Sequence, residues 1–342
     1  MKQRLLLAFF ALSLFITSCG SDNGLDGNWK KSAEYSGSGR GGAVSFTIGD
    51  DVYVGLGYSN GDYFSSFYKY NTTIDNWTSI TEKVDGNEIG VFPGTPRREA
   101  VAFSVNGKGY IGTGVDEDGD RLNDFWEYDP TKPVAERWSE LTSQFPGGIR
   151  QGAVAFAFND IAYVGTGYGV LDGEDQNNLK DFYKFENGVW SESLGYGGSK
   201  TTDATTFVIG DKAYLVSGKN NLDNVWEFNS TSETWKQLKD IDKDNGAEDV
   251  QRTSAVSFVI DGKGYITTGL GSSSREVWEY NVAKDDWVER TSLENEVISR
   301  VDAIGFSIDN RGFIVTGLNG QTGLSDMWEF QPKVGEDDDD ND

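Results

Sequence analysis

The sequence predicts an all-β protein built from six repeated units of roughly 50 residues each. Two observations carry this prediction. One apolar phrase returns six times, and the aromatic residues and glycines that follow it keep their offsets in every copy. Composition agrees with it, because 43 of the 342 residues are glycine, 13% are aromatic, and no segment has a convincing helical period. A chain with this aromatic content can bury a large core.

The repeated phrase ends in phenylalanine. Its copies are AVSF (43–46), AVAF (100–103), AVAF (153–156), ATTF (204–207), AVSF (255–258) and AIGF (303–306). Each phenylalanine is followed seven residues later by an aromatic residue and four residues after that by a glycine. An aromatic pair around one charged residue comes next. The first five units then close with Trp77, Trp138, Trp190, Trp235 and Trp287.

Each unit predicts four strands. The first two are apolar and β-branched, and they are separated by turns such as VNGK and IDGK, whose NG and DG steps are typical of hairpins. The third and fourth alternate aromatic with polar residues, which indicates half-buried strands. A repeated four-stranded sheet is typical of a β-propeller blade, since stacked blades bury faces that no isolated blade could bury.

The pattern resembles Kelch repeats over residues 28–330. Kelch blades keep six residues between an aromatic and a tryptophan, as in Tyr70 to Trp77, Phe228 to Trp235 and Tyr280 to Trp287. The usual Kelch double glycine is missing, which weakens a match to a specific subfamily. The resemblance implies a six-bladed Kelch-type β-propeller of the galactose-oxidase-like class.

The two ends of the repeat region complement each other. The sixth unit stops after MWEFQP (327–332), whereas NWKKSA (28–33) resembles the closing strand DNWTSI (75–80). We therefore expect the N-terminal strand to complete the last blade and remove an open sheet edge. The predicted propeller spans 28–332. The segment 333–342 is predicted to be an acidic disordered tail.

The N-terminus has the features of an export signal. Residues 1–18 combine two positive charges with an apolar run too short to span a bilayer. They end before Cys19 in a tetrapeptide that resembles the bacterial lipobox, so 1–18 are predicted to be a lipoprotein signal peptide and 19–27 a lipidated tether. The resemblance implies a lipid-anchored envelope protein. Gly20, in place of aspartate, favours the outer membrane. The alternative is an ordinary secretory signal with a chance cysteine.

Composition excludes several chemistries. The chain has no histidine and one cysteine, so it has no catalytic triad, imidazole metal site, internal disulfide or thiolate zinc cluster. A formal charge of −25 argues against binding nucleic acid. We expect no cofactor, a monomer, and membrane contact only through the lipid anchor.

A ring of arginines forms the candidate ligand site. Five arginines and one threonine stand six residues before the phenylalanines that end the repeated phrases: Arg40, Arg97, Arg150, Thr201, Arg252 and Arg300. Since they open the innermost strands, they should surround one mouth of the central channel as a cationic collar suited to an anionic group. The alternative is structural, with the arginines bonded to loop carbonyls or stacked on aromatic rings. Tyr58 and Tyr63 lie in a loop on the same face and could stack on a sugar.

The loop 115–124 raises the question of metal binding. Asp116, Asp118 and Asp120 alternate as calcium ligands do, but Arg121 stands where an EF-hand needs glycine. An EF-hand is therefore disfavoured, and looser calcium binding stays open. The segments LNDFW (122–126), LKDFY (179–183) and LSDMW (324–328) also repeat, which favours a structural turn.

The sequence leaves three functions open: a binding module, an enzyme, and a purely structural envelope protein without a small ligand. The sequence favours a non-catalytic envelope module that binds a glycan or a protein on the collar face. Sialic acid mutarotases, which are six-bladed Kelch proteins of the bacterial envelope, are the enzyme alternative. The copper chemistry of galactose oxidase is excluded, because it requires histidine and a free cysteine.

Overall fold

The structure, a computed structural model, describes residues 25–171, 173, 175–241, 247–271 and 273–335. Within these ranges the protein is all-β, as predicted, and the helical segments are short 3-10 turns such as Val134–Glu136 and Glu248–Val250. None of the helices in these ranges has the length and apolar character of a membrane span. The predicted signal peptide and Cys19 lie outside the described residues, as do 336–342 of the predicted tail.

Six antiparallel sheets of four strands follow the six repeats, and we number them in chain order. Their first strands are Val44–Ile48, Val101–Val105, Val154–Phe158, Thr205–Ile209, Val256–Ile260 and Ile304–Ile308. Their second strands are Asp51–Gly55, Lys108–Gly112, Ile161–Gly165, Lys212–Val216, Lys263–Thr267 and Arg311–Val315. Their third strands are Phe67–Asn71, Phe125–Tyr128, Phe182–Glu186, Val225–Asn229, Val277–Asn281 and Met327–Gln331. The fourth strands of sheets 1 to 5 are Asn76–Ser79, Trp138–Glu140, Val189–Ser193, Thr234–Gln237 and Asp286–Arg290.

The fourth strand of sheet 6 comes from the other end of the chain. Asn28–Lys31 pairs antiparallel with Met327–Gln331, and Trp29 lies opposite Phe330. Trp29 is fully buried, with its ring 5.0 Å from Phe330 and 6.2 Å from Phe258. The N-terminal strand therefore contributes a core residue as well as a hydrogen-bonded edge.

Short strands build the loops around the sheets. They form the ladders Tyr58–Ser59 with Asp62–Tyr63, Glu82–Val84 with Asn87–Ile89, Ile149–Gln151 with Tyr168–Val170 and Asn177–Asn178, Arg252–Thr253 with Leu270–Gly271, and Leu318–Asn319 with Thr322–Gly323. Four of these five ladders include the connection between the second and third strands of a sheet. In two of the four, this connection pairs with the segment that precedes a first strand. They therefore shape the face on which the first strands begin.

The first strands of consecutive sheets contact one another, and the first strand of sheet 6 contacts that of sheet 1. They enclose a channel of about 200 Å³ lined by the beginnings of all six first strands. Aromatic clusters fill the space between neighbouring sheets. Phe46 of sheet 1 stacks on Tyr53 at 5.0 Å and reaches Tyr128 of sheet 2 at 5.8 Å. Gly109 makes room for this ring, because a Cβ there would lie 2.3 Å from Phe46.

Residues 25–27, the described end of the predicted tether, are attached to the sheets. The backbone N–H of Gly27 donates to the carbonyl of Val334. Thr291 donates through its backbone N–H to the Asp26 carbonyl and through its hydroxyl to the Leu25 carbonyl. The two ends of the described chain therefore meet beside sheet 5.

Candidate functional site

Six residues at the mouth of the channel form a closed ring of backbone hydrogen bonds. Each N–H donates to the carbonyl of the equivalent residue in the preceding sheet, over N···O distances of 2.9 to 3.3 Å. All six have φ between 52° and 60°. The members are Gly42, Glu99, Gly152, Asp203, Ser254 and Asp302. This mouth ring brings carboxylates from three alternate sheets around one opening.

The collar arginines lie behind the mouth ring and are buried. Each of the five is at most 2% exposed, and Thr201 is fully buried. In every case Nη1 donates to the carbonyl sixteen residues further on, at the end of the second strand. The Nε group donates to a carbonyl two or three residues earlier. Burial lowers the pKa of Arg252 to about 10.

Three of the collar arginines also bind a carboxylate. Arg97 contacts Asp124 through both terminal nitrogens, and Arg300 does the same with Asp326 at 2.8 and 2.6 Å. Arg150 pairs with Asp181 in the same way. These aspartates come from the repeated LND, LKD and LSD segments. Each of these segments, for which a structural turn was predicted, therefore supplies the carboxylate that binds a collar arginine. The contacts support the structural alternative for the collar, while its predicted role in ligand binding stays a prediction.

The predicted aromatic residues Tyr58 and Tyr63 form a cross-strand pair with centroids 5.6 Å apart. Arg98 lies over the Tyr58 ring at 4.7 Å, and its Nε donates to the Tyr63 hydroxyl at 3.1 Å. One face of Tyr58 is therefore occupied by a protein cation. Sugar stacking by this pair stays a prediction.

A cavity of about 380 Å³ lies beside the mouth ring, in the range typical of small-molecule sites. Loops of sheets 2, 3 and 4 enclose it. Its lining consists of Glu99, Gln151, Tyr168, Asn177, Asn178, Thr202, Asp203, Lys219 and Asn220. Amide, hydroxyl, carboxylate and ammonium groups thus surround an aromatic ring, which suits a polar ligand with many hydroxyl groups.

Asp203 contributes a carboxyl group with a raised pKa to the wall of this cavity. Burial raises the pKa of its carboxyl to about 6, and the carboxylates of Glu99 and Asp302 contribute. The hydroxyl of Thr202 donates to its Oδ1 at 3.3 Å. Burial also raises the pKa of Asp302, with Glu99 as a further cause. A carboxyl that titrates near neutral pH can exchange a proton with a ligand.

Glu99 has a different environment from Asp203, although both line the cavity. Arg98 Nη1 donates to Glu99 Oε1 at 2.6 Å, and Gln151 Nε2 donates to Glu99 Oε2 at 2.6 Å. Both carboxylate oxygens of Glu99 are therefore held by protein donors. Two carboxylates with such different surroundings are typical of sites that divide positioning from proton transfer.

The acidic loop of sheet 2 closes on itself. The backbone N–H of Asp120 donates to Asp116 Oδ1 at 2.8 Å, and the N–H of Asp116 donates to the Asp120 carbonyl. Among the described residues there is no group of three or more acidic, cysteine or histidine side chains arranged to hold a metal ion. Calcium binding by this loop therefore has no support from its geometry.

Sequence reasoning missed the mouth ring and the cavity. The ring residues stand two positions after the collar residues, so their spacing was available. Their identities vary from glycine to glutamate, however, and variation at a repeated position does not predict a shared role. The cavity residues come from loops of unequal length, which no repeat aligns.

No family model matches the sequence. The chain is similar to proteins named N-acetylneuraminate epimerase: it is 28% identical to those of Shigella flexneri and Escherichia coli K12 over 243 residues, 58% of this chain and 61% of the relative. It is 30% identical to that of Pasteurella multocida over 165 residues, 47% of this chain and 36% of the relative. The chain therefore matches less than two thirds of these relatives' length. The solved structure of YjhT superposes with a TM-score of 0.69 at 19% identity, over 86% of this chain and 95% of that chain. This likeness shows a propeller fold.

Proposed function

We propose that this protein is an enzyme that interconverts the anomers of a carboxylated sugar of the N-acetylneuraminate type. The observation that carries the proposal is Asp203, a carboxyl group with a pKa of about 6 in the wall of a sugar-sized polar cavity. The relatives named N-acetylneuraminate epimerase favour this enzyme alternative over the non-catalytic binding module.

Anomer interconversion needs two proton transfers and no cofactor. A base removes the proton of the anomeric hydroxyl, the bond between the anomeric carbon and the ring oxygen breaks, and the ring oxygen receives a proton. The open-chain carbonyl group then rotates, so that its other face meets the attacking hydroxyl, and the reverse steps close the ring. Asp203 takes the first proton and, once protonated, delivers it to the ring oxygen. The sugar and the enzyme therefore end with the protons they began with.

The other cavity residues position the sugar. Asn177, Asn178 and Asn220 offer amide groups to the hydroxyl groups of the sugar. Gln151 and Glu99 are bonded to each other, so the Glu99 charge stays beside Asp203 and helps to raise its pKa.

The first prediction tests the role of Asp203. The purified protein should accelerate anomer exchange of N-acetylneuraminic acid, followed by NMR, and Asp203→Asn should reduce the acceleration by about 100-fold or more. Asparagine is tolerated at the φ of 56° found here, so the fold should survive. Because the ionised carboxylate is the base, acceleration should fall as the pH drops below about 6.

Asp302→Asn is the matched control, because Asp302 has a similar φ of 52° in the mouth ring but does not line the cavity. It should keep the acceleration and move the pH midpoint downward, since one negative charge near Asp203 is removed. Wild-type protein without acceleration, or equal losses in both variants, would contradict the proposal.

We also propose that the six sheets are the blades of a six-bladed Kelch-type propeller that is closed by Asn28–Lys31. Support comes from the pairing of this strand with Met327–Gln331 and from the contact between the first strands of sheets 1 and 6.

The cellular location is likewise a proposal: residues 1–18 direct export, Cys19 is lipidated, and the protein is attached to the outer membrane. We further propose that it is a monomer and that its partner is an envelope glycan or protein.

The second prediction tests the lipid anchor. Cys19→Ser should move the protein from the membrane fraction to the soluble fraction of cells, because the acyl chains that anchor it would be absent. Unchanged fractionation of this variant would count against the lipid anchor. Leu25→Ser, a change in the same N-terminal region, is the control and should stay with the membrane.

A further inference from the structure

Arg121 stands out among the described arginines, because its guanidinium donates no hydrogen bond to any residue that the structure describes. Its Nε atom is buried and has no hydrogen-bond partner in the described part of the chain. A buried donor without an acceptor is unfavourable.

The backbone around Arg121 is held firmly. Val115 bridges to Arg98 on one side and to Arg121 on the other. The next residue, Leu122, donates its N–H to the Gly114 carbonyl at 2.9 Å and accepts from the N–H of Arg150 at 3.2 Å. The position of Arg121 is thus tied to the collar residue of the next sheet, and its side chain starts from a fixed point.

The guanidinium of Arg121 lies over the ring of Tyr168, with its central carbon 4.6 Å from the ring centroid. Tyr168 lines the cavity that contains Asp203. Its backbone pairs with Gln151 and Asn178, which line the same cavity. The contact therefore places a permanent positive charge beside a wall of the proposed catalytic cavity.

We infer that Arg121, held on Tyr168, binds the carboxylate of the sugar and determines the specificity of the site for sugar acids. The inference rests on the proposed function, to which it adds the residue that recognises the anionic group. A guanidinium stacked by one face keeps its edge N–H groups available, and their planar arrangement matches the two oxygens of a carboxylate.

Other cations near the cavity fit this role less well. Arg98 already donates to Glu99 and Tyr63, and the collar arginines donate to main-chain carbonyls from buried positions. Lys219 lines the cavity, but an ammonium group binds as a point charge and does not fix the orientation of a carboxylate. Arg121 alone among these combines an unused donor set with a fixed aromatic support.

The experiment compares two ligands that differ in one charge. Binding of N-acetylneuraminic acid and of its uncharged methyl ester is measured by NMR titration of the purified protein, as wild type and as Arg121→Ala. The variant should bind the acid about 10- to 100-fold more weakly, the range expected for a lost charged hydrogen bond, and should bind the ester unchanged. Tyr168→Leu should also weaken binding of the acid, because the guanidinium of Arg121 loses the ring on which it is held.

Arg137→Ala is the matched control. Arg137 is also half-buried and belongs to sheet 2, but it donates to the Lys132 carbonyl and lines a different cavity. It should leave binding of both ligands unchanged. Equal losses of acid and ester in Arg121→Ala would overturn the inference, since the arginine would then act only by packing.

The two proposals fail in different ways. Acid-specific binding that depends on Arg121, without acceleration of anomer exchange, supports the inference and contradicts the proposed enzyme. If Arg121→Ala accelerates anomer exchange of the acid as the wild type does, the inference is overturned and the proposed enzyme is not. A wild-type protein that binds neither ligand overturns both.

Discussion

Burial of an arginine is costly, and hydrogen-bond acceptors must compensate for the water that its guanidinium loses. The collar meets this requirement in different ways. Arg97, Arg150 and Arg300 use aspartates, whereas Arg40 uses the Ser66 hydroxyl and Arg252 uses main-chain carbonyls. Among the residues that the structure describes, no carboxylate accepts a hydrogen bond from Arg252, in agreement with a pKa lowered to about 10 by burial. The repeated arginine therefore has a repeated structural use.

The third prediction concerns the Arg300–Asp326 pair. Arg300→Ala should lower the free energy of unfolding by about 3–5 kcal/mol, because it leaves a largely buried carboxylate without its partner. Chemical denaturation at pH 7 measures the loss. The double variant with Asp326→Ala should recover part of it. A collar variant with unchanged stability and lost ligand binding would instead support the binding role.

The same pair gives a pH dependence with a defined sign. Burial opposes ionisation of Asp326, but the hydrogen bonds and charge of Arg300 outweigh it and lower the pKa below the ordinary value of 3.8. A carboxyl with a lowered pKa stabilises the fold above its unfolded pKa, and this stabilisation is lost as the pH falls. The stability difference between wild type and the double variant should therefore shrink in acid.

At the scale of single elements, the N-terminal strand joins the two ends of the chain. Its inner residue Trp29 is buried against Phe258 and Phe330, while Lys30 and Lys31 are exposed. Asp26 adds an ion pair to Arg290 at 3.3 Å. The strand is thus bound by packing and hydrogen bonds, with an electrostatic contact at its start.

The fourth prediction follows from this packing. Trp29→Ala should lower the free energy of unfolding by about 3–5 kcal/mol, the range for a large aromatic removed from a core. Lys30→Ala, on the exposed side of the same strand, should change it by less than about 0.5 kcal/mol. Deletion of 22–33 should lower the melting temperature more than either. An unchanged melt after the deletion would mean that the strand is not needed for closure.

Strands were predictable from the sequence because their positions are repeated. The offsets from Phe46 to Tyr53 and Gly57 recur in every unit, and a period of two distinguishes the third strands. Bonding of the arginines to carbonyls was given by the sequence as the structural alternative, but their full burial was not predictable, because it depends on carbonyls sixteen residues away, just after the second strands. Asp203 was missed for a related reason: its raised pKa depends first on burial and then on the charges of Glu99 and Asp302, which are about a hundred residues away in either direction.

At the scale of the whole molecule, the mouth ring links all six sheets through one continuous set of backbone hydrogen bonds. Its members need positive φ, which only glycine adopts without cost and which aspartate tolerates better than most residues. The same geometry directs Glu99, Asp203 and Asp302 to the opening. The fold and the proposed chemistry therefore meet in one structural feature, and a change to the ring should affect both.

The fifth prediction separates these two effects with a pair of glycines of equal φ. Gly42 and Gly152 both have φ of 60°, so replacement of either by alanine should cost about 1–2 kcal/mol of unfolding free energy through backbone strain. A Cβ at Gly152 would also lie 2.3 Å from Asp203 Oδ1 and 2.4 Å from Thr202 Oγ1, whereas a Cβ at Gly42 would meet Arg98 Cβ at 3.0 Å. Gly152→Ala should therefore displace the Asp203 carboxyl and slow anomer exchange, while Gly42→Ala should lose stability and keep most of the exchange rate. Denaturation curves and NMR exchange rates of both variants measure this difference. Equal effects on the rate would show that proton transfer does not depend on where the ring holds Asp203.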